Sequence, residues 1–438
     1  MRLWQSQAAC LADSRRPCAN ESMEKTVAVI GAGIVGVACA LELQKRGASV
    51  TLIDRSEPGR ETSYGNAGVM ARSSLMPFNN PGLWGALPKL LRNRAAQFRY
   101  NPFFLARHAT WAIGFLARAR RSVFEESTAA LDSLIRLSTT EHTRLLAEAG
   151  ASHRLRDNGW IFLYRSAAGY AGSQLSRQTF DRFGIATETL DPHGLSDLEP
   201  HLAPIFSHAL WIKDTASVDS PGRVVQAYAD LFVARGGSVQ RREIQGLERD
   251  GADGWQLRDS AGRTLRAHRV VVALGPWAKS FLAPLGISVP MAFERGYCMH
   301  YGTLGAAALR RPIYDTAGAY VLSPMEEGMR LTTGVELTDR DAAKNLTQLS
   351  MAEKSAREAF PLGQRLDEEA WLGRRPTLPD SRPIIGEAPH HPGLWLAFGH
   401  QHIGFSTGPG TAVVLGALMS GESSPIDPAP FRPGRFLS

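Results

Sequence analysis

Two short apolar runs open the regular part of this chain. Residues 27–30 are apolar and mostly β-branched, as in a strand buried on both faces, and residues 50–53 repeat the pattern. A helix-forming stretch separates them, so 26–54 predicts strand, turn, helix, strand. Residues 83–150 then predict mostly helices, with a clear one at 128–149, and 173–183 predicts another. Short strands are expected at 158–164 and 209–213. At 220–236 a helix carries its own punctuation, with Ser220 and Pro221 in front and Gly236 behind. Strands follow at Ser238–Arg241 and 265–274, then short strands and turns alternate over 293–336, an antiparallel signature. A helix at 347–360 and a small-residue helix from Gly404 to about Ser420 complete the pattern.

Strand–helix–strand features therefore recur near the start, in the middle and at the end, with antiparallel stretches in the gaps. This predicts an α/β fold, α+β overall, built from two interleaved domains. One is Rossmann-like and made from 24–80, 216–288 and 363–432; the other is mostly antiparallel and made from 81–215 and 289–362. Residues 1–22 show no pattern and lack the apolar core of a secretory signal. They read as a disordered extension, with Met23 as the natural start.

Candidate chemistry begins where the first strand ends. Gly31, Gly33 and Gly36 form G-x-G-x-x-G. The first glycine permits a tight turn, the second lets backbone approach a pyrophosphate, and the third lets the helix pack close to the sheet. The helix start, with Ile34 and Val35, offers unpaired N–H groups to phosphate. Asp54, followed by Arg55, ends the second strand, where an acid accepts hydrogen bonds from ribose hydroxyls. An acid there repels a 2′-phosphate, which favours FAD or NAD over NADP.

The 438 residues, 44% hydrophobic and 21% charged, suit a globular protein of two or three domains, and no apolar run reaches 18 residues. The net charge of +7 is modest for the size and does not indicate nucleic acid, but its distribution is uneven. No acid occurs between Glu61 and Glu125, while Arg72, Lys89, Arg92, Arg94, Arg99, Arg107, Arg118, Arg120 and Arg121 do, interleaved with aromatic and leucine residues. Such a stretch can lie on an anionic membrane surface; packing helices with solvated arginines are the commoner case. The four cysteines include no C-x-x-C pair, so a reducing compartment is expected rather than a disulfide scaffold, with Cys39 a small buried hydrophobe. His400 and His402 form H-x-H without a third ligand cluster, so no metal site is expected.

Four segments, taken together, carry a resemblance: the fingerprint, 62–68 (Thr-Ser-Tyr-Gly-Asn-Ala-Gly), 375–380 (Arg-Pro-Thr-Leu-Pro-Asp) with 383–386 (Pro-Ile-Ile-Gly), and 399–411. The chain resembles the FAD-dependent D-amino-acid oxidase and dehydrogenase superfamily over essentially all of 25–432, and its bacterial D-amino-acid dehydrogenases most. The resemblance implies a non-covalent FAD between the two domains, since no cysteine follows Cys298 to carry the covalent link found in some relatives. It implies oxidation of an amino acid at Cα by hydride transfer to the flavin, with hydrolysis of the imine to a 2-oxo acid and ammonia.

By the same resemblance Ser63, Asn66, Ala67 and Gly68 contact the flavin. Gly404, Phe405, Ser406 and Thr407 face its N1 side through a helix start, and Ala273 and Gly275 pass near the adenine. Arg375 grips the substrate carboxylate; Tyr297, Tyr320 and His402 complete the pocket. Electrons would pass to a quinone or another carrier, from a cytoplasmic protein peripheral to the inner membrane. An oxygen-using oxidase of the glycine or sarcosine type is the alternative, disfavoured because no lysine follows Lys354. The bulkier His-Gln-His at 400–402 leaves room for a D-hydroxyproline dehydrogenase, and a non-catalytic FAD-binding subunit is the remaining reading.

Overall fold

The structure is a computed structural model that describes residues 26–251 and 254–437. The expected extension at 1–22 and the start at Met23 lie outside the described residues. A six-stranded sheet runs in the order Ser238–Arg241, Ser49–Asp54, Thr26–Ile30, Arg269–Val272, Leu394–Phe398, Ile384–Glu387. Its neighbours are parallel except the last pair. Both faces of its middle strands are covered, which is why Thr26–Ile30, Arg269–Val272 and Leu394–Phe398 are almost wholly apolar. Val27, Val29 and Val271 face a layer of helices (Ile34–Lys45, Arg121–Glu148, Pro221–Ala234, Gly404–Ser420). Ala28, Ile30, Val270 and Val272 face a second core that includes Trp255 and Leu257 of a three-stranded meander.

An eleven-stranded, mostly antiparallel sheet forms the other half. Its central strand, Ala292–Thr303, pairs with Gly328–Thr333, Val335–Leu337, Leu362–Arg365 and Trp371–Thr377. Side chains alternate along it. Tyr297, Met299 and Tyr301 enter a core with Leu349, Ala352 and Ala356 of the helix Thr347–Ala359. Glu294, Gly296, Cys298 and His300 take the opposite face.

Three expectations change. The strand expected at 265–274 is two strands, Thr264–Ala267 in the meander and Arg269–Val272 in the six-stranded sheet. They part at His268, whose backbone N–H donates to the Thr26 carbonyl at 3.1 Å. The helix expected at 128–149 begins at Arg121, and its Ala130, Leu134 and Leu145 pack in the helix layer of the six-stranded sheet, although local pattern places 81–215 in the other domain. Trp371–Thr377 likewise belongs to the large sheet, so the chain returns to the six-stranded sheet between Thr377 and Ile384, not at 363. Both expected boundaries follow local pattern, and strand pairing is not local.

Among the described residues no helix is long and apolar enough to cross a membrane. The basic segment forms the helices Leu83–Leu91, Pro102–Arg107 and Ala109–Ala117, interrupted by a strand at Phe98–Tyr100.

Candidate active site

The two sheets enclose a cavity of about 1140 Å³, somewhat above the ~300–1,000 Å³ of sites for one small ligand. The glycine turn forms one end. Gly31 has φ +108°, and a Cβ there would come within 2.5 Å of the Ala273 carbonyl oxygen. A Cβ on Gly36 would meet the Gly31 oxygen at 1.7 Å, so the turn and the helix touch backbone to backbone. Gly33, Ile34 and Val35 line the cavity, and the Ile34 N–H donates to Ser63 Oγ at 3.0 Å.

Asp54 lies at this end too. Its carboxylate accepts from the Ala32 N–H at 2.6 Å and the Ser56 N–H at 2.8 Å, and burial pushes its pKa up. Arg55 stacks over Trp277 at 4.4 Å and pairs with Glu61 at 2.8 Å, which folds its charge onto the protein. Ala273 and Gly275 complete this wall.

The loop after Glu61 is held from below. Buried Arg330 donates through Nη1 to the Tyr64 and Asn66 carbonyls, 2.8 Å each. Its Nε donates to His300 Nε2 at 2.9 Å, while His300 Nδ1 meets Asp367 at 2.9 Å. Ser63, Asn66 and Ala67 line the cavity; Gly68 sits behind, where a Cβ would approach the Val218 oxygen to 2.4 Å. On the far side Gly404, Phe405 and Ser406 open the helix Gly404–Ser420 onto the cavity. Ser406 Oγ donates to the Val69 carbonyl at 3.2 Å, and the Phe405 carbonyl meets His142 Nε2 at 2.7 Å. Thr407 is buried one step further in and its hydroxyl donates to the Ile403 carbonyl at 2.8 Å. Gly36, Gly68 and Thr407 thus shape the wall, and the other fourteen cofactor candidates face the cavity. A glycine cradle, a loop of inward-facing backbone and a helix start around one large cavity fit a dinucleotide cofactor such as FAD.

The remaining chemistry gathers on the large sheet. Arg375 stands opposite Glu294 across the strand pair. Its guanidinium lies over Gly296, where a Cβ would be 2.5 Å from Nη2, and reaches toward the Thr333 carbonyl at 3.5 Å. Burial pulls the Arg375 pKa down and the Glu294 charge opposes this. His402 stacks on Phe78 at 4.6 Å, and its Nδ1 has no hydrogen-bond partner among the described residues. Burial, then the Arg375 charge, brings its pKa down to about 3, so the ring is neutral. His400 turns away to Thr411 Oγ1 at 2.9 Å, so the two imidazoles of H-x-H serve different places.

Tyr297 and Tyr320 border the cavity, while their rings also pack in the core on the other face of the large sheet. The Tyr297 ring packs in the core beneath the helix Thr347–Ala359. Its hydroxyl accepts from Arg295 at 2.8 Å and from the Asn345 N–H at 2.8 Å and donates to Glu336 at 3.0 Å. Tyr320 packs in the same core with Leu322 and Leu331. Period-2 alternation puts their neighbours on the cavity side instead: Val321 pairs with Tyr314, Tyr314 with Phe162, and Cys298 with Trp371. Tyr314, with its pKa pushed up to about 12 by burial, Phe162 and Trp160 form an aromatic wall, and Trp371 lines the cavity beside Tyr64, 5.9 Å between rings. Sequence reasoning misses this wall, as it misses Glu294 and Arg330. The alternation is visible in the sequence; which phase faces inward is not.

The family described as FAD dependent oxidoreductase (DAO) matches residues 26–418. The chain is 30% identical to a D-amino-acid oxidase of Bradyrhizobium diazoefficiens, over 94% of this chain and 99% of that protein. It is also 30% identical to a D-amino acid dehydrogenase of Paramagnetospirillum magneticum, with the same coverage of each. Among solved structures, glycine oxidase from Geobacillus kaustophilus superposes with a TM-score of 0.70 at 22% identity, covering 93% of this chain and 98% of that one.

Proposed function

Since the chain belongs to the DAO family of FAD-dependent oxidoreductases, we propose that it is a D-amino-acid dehydrogenase that deaminates its substrate oxidatively to a 2-oxo acid and ammonia. The observation that carries this reading is one cavity lined both by a dinucleotide cradle and by Arg375. Bound FAD supplies the acceptor for the hydride leaving the substrate Cα. The protein's part is to bind and orient. Arg375 takes the substrate carboxylate with two parallel N–H···O bonds, a geometry lysine lacks. Gly296 leaves the space in which the guanidinium lies. Neutral His402 adds no second positive charge beside the substrate amine, and the aromatic wall around Tyr314 and Phe162 gives an apolar side chain a dry place.

The electron acceptor in this reading is a quinone or similar carrier, met at the cytoplasmic face of the inner membrane. Two features support it. The cavity lining continues to Leu83 and Leu87 of the helix Leu83–Leu91 and to Phe115 of Ala109–Ala117. The same helical segment exposes Trp84 (51%), Leu91 (60%), Phe103 (79%) and Ile113 (68%) beside exposed Lys89, Arg92 and Arg94. The name of the Bradyrhizobium relative favours oxygen as the alternative acceptor. Purified yellow protein mixed anaerobically with a panel of D- and L-amino acids tests the substrate. Bleaching by D-amino acids is expected; no bleaching with any of them defeats the proposal. Oxygen uptake without added dye would assign an oxidase.

A further inference from the structure

Glu294 has no role in the chemistry described so far. It is 3% exposed, borders the cavity, and its Oε2 has no hydrogen-bond partner among the described residues. It stands directly opposite Arg375 in the register of the two strands. Arg375 leans instead over Gly296 toward the Thr333 carbonyl, so the two charges share a wall without closing on each other.

An amino acid reaches this wall as a zwitterion, yet hydride can leave Cα readily only when the nitrogen lone pair is free. We propose that Glu294 is the proton acceptor for the substrate ammonium. As the substrate carboxylate settles on Arg375, an N–H bond of the ammonium breaks and an O–H bond forms at Glu294 Oε2. The products are a neutral amine and a neutral carboxylic acid, and the total charge is unchanged. The inference rests on the reading of Arg375 as the carboxylate site.

Electrostatics drive the transfer. One guanidinium cannot hold two carboxylates ionised in a buried site as well as it holds one. Burial, opposed by Arg375, already brings Glu294 to about 7. The arriving carboxylate takes up the Arg375 charge, and this raises the proton affinity of Glu294 further. Other groups nearby do not compete. His402 titrates near 3, Cys298 on the same strand face is pushed up to about 11, and His400 is turned to Thr411. Arg295 and Glu336 pair with each other on the opposite face.

Propanoate, an alanine-shaped acid without an amine, tests the idea. It brings no proton, so Glu294 must draw one from solvent. Calorimetric titration of the FAD-loaded protein at pH 8, in two buffers of different ionisation enthalpy, should show uptake approaching one proton per site. Glu294→Gln should bind propanoate with no uptake. Its kcat/KM should also rise tenfold per pH unit up to the pKa of the free substrate amine, because it must select the neutral amine from solution; the unaltered protein should level off at lower pH. Binding without uptake in the unaltered protein, or equal uptake in Glu294→Gln, overturns the inference and leaves the carboxylate site standing. No propanoate binding at all overturns both. If Glu294→Gln does not fold, the two-buffer measurement on the unaltered protein decides alone.

Discussion

Gly296→Ala is a small change with a large expected effect. The new Cβ would sit 2.5 Å from Arg375 Nη2 and 3.0 Å from its Cζ, where ordinary contact begins at 3.4 Å. Backbone is less affected, since the Gly334 oxygen would lie 3.2 Å away. The guanidinium must therefore retreat by about 1 Å, and a misplacement of that size costs on the order of 100-fold in a reaction that depends on orientation. Folding should hardly suffer, because the displaced group is the free end of a flexible side chain. FAD binding should be untouched, because a Cβ at Gly296 meets Arg375 and the Gly334 carbonyl and no residue of the glycine cradle. The assay is stopped-flow anaerobic bleaching by D-alanine, with FAD content read from the visible spectrum and affinity from propanoate titration. The expected result is full flavin, kcat/KM lower by about 100-fold, and weaker propanoate binding. Unchanged propanoate affinity would refute the placement of the carboxylate at Arg375.

Four further outcomes follow from the same geometry. Arg375→Ala removes two charge-assisted hydrogen bonds, worth about 1.5–3 kcal/mol each; KM should rise at least 100-fold while the protein stays yellow, and loss of flavin with normal turnover in added FAD would contradict the assignment. Gly33→Val puts a side chain where the pyrophosphate approaches and should abolish FAD binding; a fully flavinated variant would be the contrary result. Arg330→Ala strips the Tyr64 and Asn66 carbonyls of their donor, at about 1–3 kcal/mol for each group left unpaired, so FAD retention in dilution should fall, and unchanged retention would detach that arginine from the cofactor loop. Acid should unfold the protein early: His142, His400 and His402 are held near 4, 3 and 3 by burial, so the unfolded chain binds three protons that the folded one refuses below pH 6.5. Glu294 acts in the opposite sense, but with one proton. Stability should drop by roughly 2–3 kcal/mol per pH unit between pH 6 and 4, and a melting temperature flat over that range would speak against neutral buried histidines.

How much of this is legible in the sequence depends on the range of the signal. The strand at Ser238–Arg241 and the helix Pro221–Ala234 are marked by local punctuation and appear within two residues of expectation. The glycine turn is legible because each glycine answers a steric demand of the backbone around it. The antiparallel half is legible as a class only. Its functional face depends on which phase of each strand turns inward, and this is fixed by pairing between segments such as 292–303 and 371–377. Arg-Gly-Tyr at 295–297 therefore draws attention to Tyr297, when the residues that share a face with Arg375 are Glu294 and Gly296. Tyr320 stands in for Tyr314 for the same reason.

The same register explains why one strand serves both ends of the site. Along the cavity face of Ala292–Thr303, Glu294 and Gly296 set the position and charge of Arg375, and His300 two pairs further on receives Arg330, which holds the flavin-side loop by two carbonyls. Arg375 and the loop that Arg330 holds are thus spaced by the rise of a single pleated strand, about 3.4 Å per residue. A slip of one residue would carry Glu294, Gly296 and His300 together into the core beneath Thr347–Ala359 and turn Arg295 to the face they leave. Each polar group buried there without a partner would cost roughly 2–7 kcal/mol, and a charged one more. The pairing that fixes the fold of the large sheet is therefore also what fixes the distance between Arg375 and the loop that Arg330 holds.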